Sequence, residues 1–562
     1  MSSSVWGWVA AAGACGVLAA APTGGEVLCN GITLPKAWPP TSEITTAPAS
    51  TREPMRVPYL EAKNIPDPIW IDVGRQLFVD DFLIAETDLA RVFPKPVKYE
   101  GNPVLRPETA LEQNRPQNAC TVPKGGGVWW DAAEGVYKLW YEAGWIHTIC
   151  HATSKDGIHW ERPSLDVVPG TNQVLPPDLV PDSWSVVPDP DAIDPEQRYK
   201  MFLRGPGGEM TGWALTSADG IHWTNRTRTG ACMDRSSMFY NPFRRKWVFS
   251  LRGYWGAWGK GGVRSRHYRE ADDFLDGASW TWNSGASTKD CVLWAAPDRL
   301  DPEDSGTKFP VQLYSLDAVP YESIMLGFWE IHHGPENDVC MKKGLPKITD
   351  LVFAYSRDGF HWSRPDRAAA IASARWGSDK WDTGYVQAAA NLCVIDGERL
   401  RFYYGAFRGD PSRTSGDWMR NGMYDNGAMG FATLRRDGFV GLKTEAKGSV
   451  KTRPVLFSGS HLFVNVEAPQ GTLRAEVLDA DGTVLPGFAA DACVPVRGDT
   501  VKASLAWRGR ANLAELCGRR VRFRFLLEKG TFYSFWVSPR KTGESGGYLA
   551  GGGPAYRALV DR

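Results

Sequence analysis

An all-β fold, a five-bladed β-propeller followed by a C-terminal β-sandwich, is what this 562-residue sequence predicts. Three observations carry the prediction. One seven-residue phrase is written three times, as SKDGIHW at 154–160, SADGIHW at 217–223 and SRDGFHW at 356–362. Gly, Pro and Trp are plentiful (59, 39 and 25), which suits short pleated strands joined by tight turns. The intervals between the phrases have the length of a four-stranded repeat.

Each phrase follows an apolar alternating run (ICHAT, GWALT, LVFAY) and leads into an aromatic. Asp-Gly between strand-like runs reads as a hairpin, because Gly adopts the positive φ of a tight turn at little cost. Degenerate copies at 269–280 and 432–442 complete the series, with marker residues Asp156, Asp219, Asp273, Asp358 and Asp437. Five markers give five blades. A catalytic base is needed once and not in every blade, so His159, His222 and His361 are read as blade punctuation, packed with their Trp neighbours between blades.

The flanking segments follow from composition. Residues 1–22 form an apolar, Ala-rich run with a small-residue cleavage zone and read as a signal peptide, too short and too rich in Gly and Ala for a membrane span. A secreted or periplasmic location follows from that reading. Residues 23–68 are an extended Pro- and Thr-rich lead-in, and the propeller occupies 69–452. Within it, the run RQLFVDDFLIAE at 75–86 is expected to pair with the last blade and close the ring, which removes exposed sheet edges. Residues 453–540 alternate without the blade marker and are assigned to the sandwich; the Gly-rich residues 541–562 are assigned to a flexible tail.

Charge and cysteines narrow the function classes. Lys plus Arg and Asp plus Glu are both 64, which gives no electrostatic reason for a nucleic-acid or anionic-membrane partner. The ten cysteines contain no Cys-x-x-Cys pair and read as isolated buried thiols, and no His spacing suggests a metal site. Oligomeric state is left open.

Chemistry is expected where inner strands converge on the axis, so a carboxylate near the start of an inner strand faces a shared funnel. Asp182, Asp234, Asp317, Glu322 and Asp382 occupy such positions, with Arg235 beside Asp234. Paired carboxylates are what glycosidic hydrolysis requires, one to protonate the leaving oxygen and one to attack or activate water. Glu322 is assigned as general acid, and Asp182 and Asp234 as base or nucleophile. Arg235, Asp317 and Asp382 are assigned to substrate binding, and Trp129, Trp130, Trp184 and Trp255 as flat faces for sugar rings.

The motifs QLFVDDFLIAE, NPVLRP, TSKDGIHWERP, DAVPYESIMLG and LRRDGFVGL resemble uncharacterised bacterial proteins of the glycoside hydrolase family 32-like group, over about residues 76–537. Families 43 and 130 share the five-bladed fold. The resemblance implies a glycosidase acting on an oligo- or polysaccharide without a cofactor, with a structural calcium ion in the channel as an option some relatives use. The family 32 motifs Trp-Met-Asn-Asp-Pro-Asn, Arg-Asp-Pro and Glu-Cys are absent; MDRSS at 233–237 and YES at 321–323 come nearest. Two alternatives stand beside this reading, a propeller that binds carbohydrate without cleaving it and a sialidase-like exo-glycosidase.

Overall fold

A computed structural model of the chain describes residues 25–41, 44, 48–206, 210–255, 263–282 and 287–562. The expected signal peptide lies outside the described residues. The structure is all-β, and its centre is a five-bladed propeller. Blade two has four antiparallel strands, Ser183–Pro188, Tyr199–Arg204, Thr211–Ser217 and Thr224–Ala231. Blade three repeats the order with Ser237–Asn241, Lys246–Trp255, Val263–Ala271 and Val292–Ala295.

In blade one the inner strand is split into Thr121–Val122 and Val128–Asp131, both paired with Val136–Ala143. Three successive glycines fill the break, two of them where the blade-two inner strand passes close by. A Cβ on Gly125 would lie 1.5 Å from the Trp184 carbonyl oxygen. In blades one and four the outermost position is held by isolated bridges, among them Thr153 to Glu161 and Tyr355 to Ser363. Main-chain or side-chain bonds join the inner parts of every neighbouring pair of blades. Val186 donates its amide to the Gly125 carbonyl (3.0 Å), and Met238 donates to Ser185 Oγ (3.1 Å). Arg266 donates to the Tyr314 carbonyl (3.1 Å), and Thr349 Oγ1 to the Val386 carbonyl (2.7 Å). Val128 donates to Asn391 Oδ1 (2.9 Å), which completes the circle.

The repeated phrase is a self-contained turn. In each copy the Ser hydroxyl donates to the Asp, and the Gly amide donates back to the Ser (2.8, 2.9 and 2.9 Å). The Asp then accepts the two following amides and the His Nδ1, the last at 2.7 Å in all three copies. Each turn also takes at least one bond from the preceding blade. Tyr403 donates to Gly157 O (2.8 Å), Trp140 to Gly220 O (2.7 Å) and Trp294 to Phe360 O (2.7 Å). The histidines therefore serve structure, but differently from the expectation. The side chains of His159 and His222 are 86% and 54% exposed and close the turn, while the Trp residues do the packing. The third marker departs further: Asp273 caps the short helix Phe274–Gly277 where a hairpin was expected.

This turn carries a pH signature. Burial opposes the charge on Asp219, but the His222 ring, the His222 and Ile221 amides and the Ser217 hydroxyl outweigh it and hold the carboxyl at about 2. The folded value lies below the unfolded one near 4, so the stabilisation is present above about pH 4 and drains away towards pH 2. Solvent discounts it, because the side chain is nearly half exposed. The stability gap between wild type and Asp219→Asn, measured by urea unfolding, should shrink as pH falls through that window; a gap constant with pH would refute the account.

Three segments sit differently from the sequence expectation. Residues 75–86 do not close the ring. Gln76–Leu77 pairs with Arg522–Ser538 and Ile84–Thr87 with Gly441–Thr452, in a seven-stranded antiparallel sheet beyond the propeller. The run buries both faces: Leu77 and Val79 enter the core of blades four and five, while Phe78 and Phe82 enter the core of the sheet. The closing strand is Val97–Lys98, paired with Gly427–Arg435 of blade five. The propeller strands thus start at residue 97 and the sheet takes residues 441–452, which shifts both expected boundaries. The lead-in also packs, through Leu28, Ile32, Leu34 and Tyr59, onto the sheet core.

The Gly-rich C-terminus is part of the propeller and not a loose tail. Tyr548–Leu549 pairs with Gln312–Glu322 of blade four, and residues 551–552 exchange main-chain bonds with Trp130, Cys393 and Ile395. A Cβ on Gly553 would lie 1.9 Å from the Ile395 carbonyl oxygen, so only Gly lets the segment lie this close. Removing residues 545–562 should lower the melting temperature and slow refolding, because it exposes the ends of several inner strands at once. Unchanged melting would show that the segment adds nothing. The nine described cysteines are all unpaired, and among the described residues no helix is long and apolar enough to cross a membrane.

Candidate functional site

The two ends of the propeller axis differ in chemistry. At the end where inner strands finish, Trp129, Val187, Phe239, Val319 and Ala390 surround an apolar cavity, which Tyr548, Ala550 and Leu559 of the C-terminal segment cap. The opposite end, where inner strands begin, is polar. Asp182 and Asp234 lie just before the inner strands of blades two and three, and Tyr314 and Tyr385 stand within the first three residues of those of blades four and five.

Asp234 sits just before the inner strand of blade three. The Arg252 guanidinium holds one of its oxygens, and the Tyr314 hydroxyl donates to the other (3.2 Å). Its side chain is 35% exposed, against 16% for Asp182, 9% for Asp317 and 1% for Glu330. Tyr314 is a hub: its hydroxyl also meets the Tyr385 hydroxyl (3.1 Å) and receives the Lys347 ammonium (3.5 Å). Lys347 faces the rings of Tyr314, Tyr385 and Tyr424 at 5.2, 5.6 and 5.9 Å. Burial, reinforced by Arg264 and Arg252, pulls that ammonium down to about 7.

Asp182 opens the inner strand of blade two and is bound by Arg204. Its carbonyl accepts from Lys124 Nζ (2.5 Å); that ammonium also meets Glu142 (2.9 Å) and the Trp145 ring (4.9 Å). Trp145 stacks on Tyr424 at 4.3 Å and contacts Tyr385, so the Asp182 and Asp234 groups join through an aromatic floor. One layer deeper, Arg235 bonds Glu330 (2.5 Å) and lies 3.9 Å from Asp317. Burial raises the Glu330 carboxyl above its usual range, against the pull of Arg235. Lys124, Ile146, Arg235 and Tyr385 all have φ between +39° and +60°, the left-handed region that costs about 1–2 kcal/mol per non-Gly residue.

The structure thus brings Asp182, Asp234, Arg235 and Asp317 to one end of the axis and takes the other expected residues away from it. Glu322 is fully buried at the end of its strand, on the far side of blade four. Arg436 (2.8 Å), the Arg75 amide (3.1 Å) and the Ser545 hydroxyl (2.7 Å) saturate it. It joins blade four, residue 75, the blade-five hairpin and the C-terminal segment, and no substrate reaches it. Asp382 grips Lys98 of the closing strand (2.5 Å) and the Tyr404 hydroxyl (3.1 Å), so it pins the ring shut. Trp184 is packed beneath the blade-one glycines, Trp129 lines the opposite, apolar end, and Trp130 packs against Tyr137. The Trp255 side chain lies outside the described residues.

Lys124, Trp145, Arg252, Tyr314, Lys347 and Tyr385 were not anticipated. One signal was legible: VRSRHY at 263–268 alternates two arginines with small or aromatic residues inside a buried strand, which only a polar counterpart can justify. The described residues offer no cluster of three or more His, Cys, Asp or Glu side chains for the calcium ion considered above.

No family model and no curated protein matches the chain. Solved structures do. An N-acetylgalactosamine deacetylase from F. plautii is similar at 14% identity over 66% of this chain and 97% of its own, with a TM-score of 0.34. A family 43 arabinoxylan arabinofuranohydrolase from Bacillus subtilis is similar at 10% identity, 79% and 99% coverage and a TM-score of 0.33. A family 32 β-fructofuranosidase from Bombyx mori gives 10%, 78% and 95%, and 0.34. At such values the likeness carries no chemistry; the five blades stand on their own hydrogen bonding.

Proposed function

We propose that this protein is a secreted or periplasmic glycosidase whose centre is the polar funnel, with Asp234 as the carboxylate that attacks the sugar or activates water. The observation that supports this reading most is Asp234 itself: it is the most exposed of the funnel carboxylates and the one held by both a guanidinium and a phenol. Those donors orient the carboxylate, which both roles need. Asp182 is the second carboxylate, and it serves as proton donor to the leaving group once the substrate displaces the Arg204 guanidinium. The aromatic floor of Trp145, Tyr385 and Tyr424 would take a sugar ring. The seven-stranded sheet, read as the expected sandwich, fits the family 32-like branch named above, although the three family motifs are missing.

The test is release of reducing sugar from fructans, arabinans, mannosides and sulfated glycans by wild type and by variants of both carboxylates. Asp182→Asn should lose about 10²–10⁴-fold on natural glycans but far less on an aryl glycoside, whose leaving group needs no proton. Equal losses on both substrates would remove Asp182 from the acid role. A second reading, binding without cleavage, is favoured by one observation: each funnel carboxylate already has a cationic partner. Tight glycan binding with no product from any substrate would select it.

A further inference from the structure

We propose that the ligand of this funnel carries a negative charge, a sugar carboxylate or a sulfate ester, and that Lys347 receives it. The inference rests on the funnel being the carbohydrate site. Among the described residues, seven cationic side chains named above stand around the funnel against five carboxylates. Those five carboxylates each have a cation. Lys347 is the converse case: it is 3% exposed, and among the described residues no carboxylate lies within salt-bridge distance of its ammonium. Three phenol rings and one hydroxyl contact it, Arg264 and Arg252 repel it, and Glu336 acts on it only from beyond salt-bridge distance. A buried ammonium with no paired carboxylate is costly, and an incoming anion would offset that cost.

Independent of Lys347, fully buried polar atoms on neighbouring funnel elements have no partner within the protein. Both amide atoms of Gln387, on the inner strand of blade five two residues beyond Tyr385, are unpaired. So are the Trp145 indole N–H and Arg252 Nη1, the latter beside the nitrogens that hold Asp234. Buried polar groups are rarely left unsatisfied, and unpaired donors on neighbouring funnel elements describe a seat for an oxygen-rich anion.

Calorimetric titration of matched neutral, uronate-bearing and sulfated oligosaccharides into uncleaving Asp234→Asn tests this directly. Either acidic series should bind at least roughly tenfold tighter than the neutral one, and the stronger of the two identifies the anion. In Asp234→Asn/Lys347→Met the preference should collapse to near parity, while Asp234→Asn/Lys347→Arg should retain it. The melting temperature of the Met variant should not fall, since it loses an uncompensated charge; if it does fall, Lys347→Gln serves for the same titration. Equal affinity for neutral and acidic ligands, no binding of either acidic series, or a preference that survives loss of the lysine charge overturns the inference. Hydrolysis is judged separately: acidic ligands bound by wild type but never cleaved would sink the glycosidase reading and leave this one standing.

Discussion

Asp234→Asn should lower kcat by roughly 10⁴-fold on every substrate the protein cleaves, activated aryl glycosides included, with little change in KM or melting temperature. The amide keeps the shape and can still accept from Tyr314, but it neither attacks carbon nor takes a proton from water. The fold should tolerate it, since the site is partly open and Arg252 still reaches the Asp234 carbonyl at 2.7 Å. The measurement is initial rates across a substrate panel beside a thermal melt. A variant that keeps more than a tenth of wild-type kcat would remove Asp234 from the chemistry, and a variant that fails to melt cooperatively would place it in the scaffold instead.

Glu322→Gln should act in the opposite manner. The carboxylate is enclosed by Arg75, Arg436 and Ser545, and the neighbouring Asp437 binds Arg75 (3.0 Å), Tyr321 (2.6 Å) and Ser534 (2.6 Å). Removing one charge from this buried network strands the arginines and should cost about 3–5 kcal/mol. The loss would appear as a lower denaturant midpoint, with kcat of the folded fraction close to wild type. Inactivity at unchanged stability would return Glu322 to a catalytic role.

Why Glu322 misleads is instructive. Its local sequence reads as an acidic residue near the start of an inner strand, but Glu322 ends its strand, and a strand has two ends. A local pattern cannot tell which end faces the open side, because that depends on which blade face the C-terminal segment covers. The same holds for residues 75–86. Alternating apolar residues announce a strand buried on both faces, but its partner is selected by Phe78 meeting Phe532 and Phe535, more than 400 residues away in the chain. Lys347 was invisible for a related reason. It follows a short helix, Asn337–Lys343, with no motif around it, and only the ring closure carries it into a nest of three tyrosines.

What local chemistry could settle, it settled. The Ser-x-Asp-Gly phrase dictates its own turn through bonds spanning three residues, so blade number and the structural duty of the three histidines were readable from the chain. Asp182 and Asp234 were also readable as strand-start carboxylates. Which carboxylates share a solvent-facing funnel, which lie sealed against arginine, and where an unpaired ammonium comes to rest were decided by the closed ring, the sheet beside it and the C-terminal segment. Those are relations between groups hundreds of residues apart, and burial and charge pairing exist only once such groups are side by side.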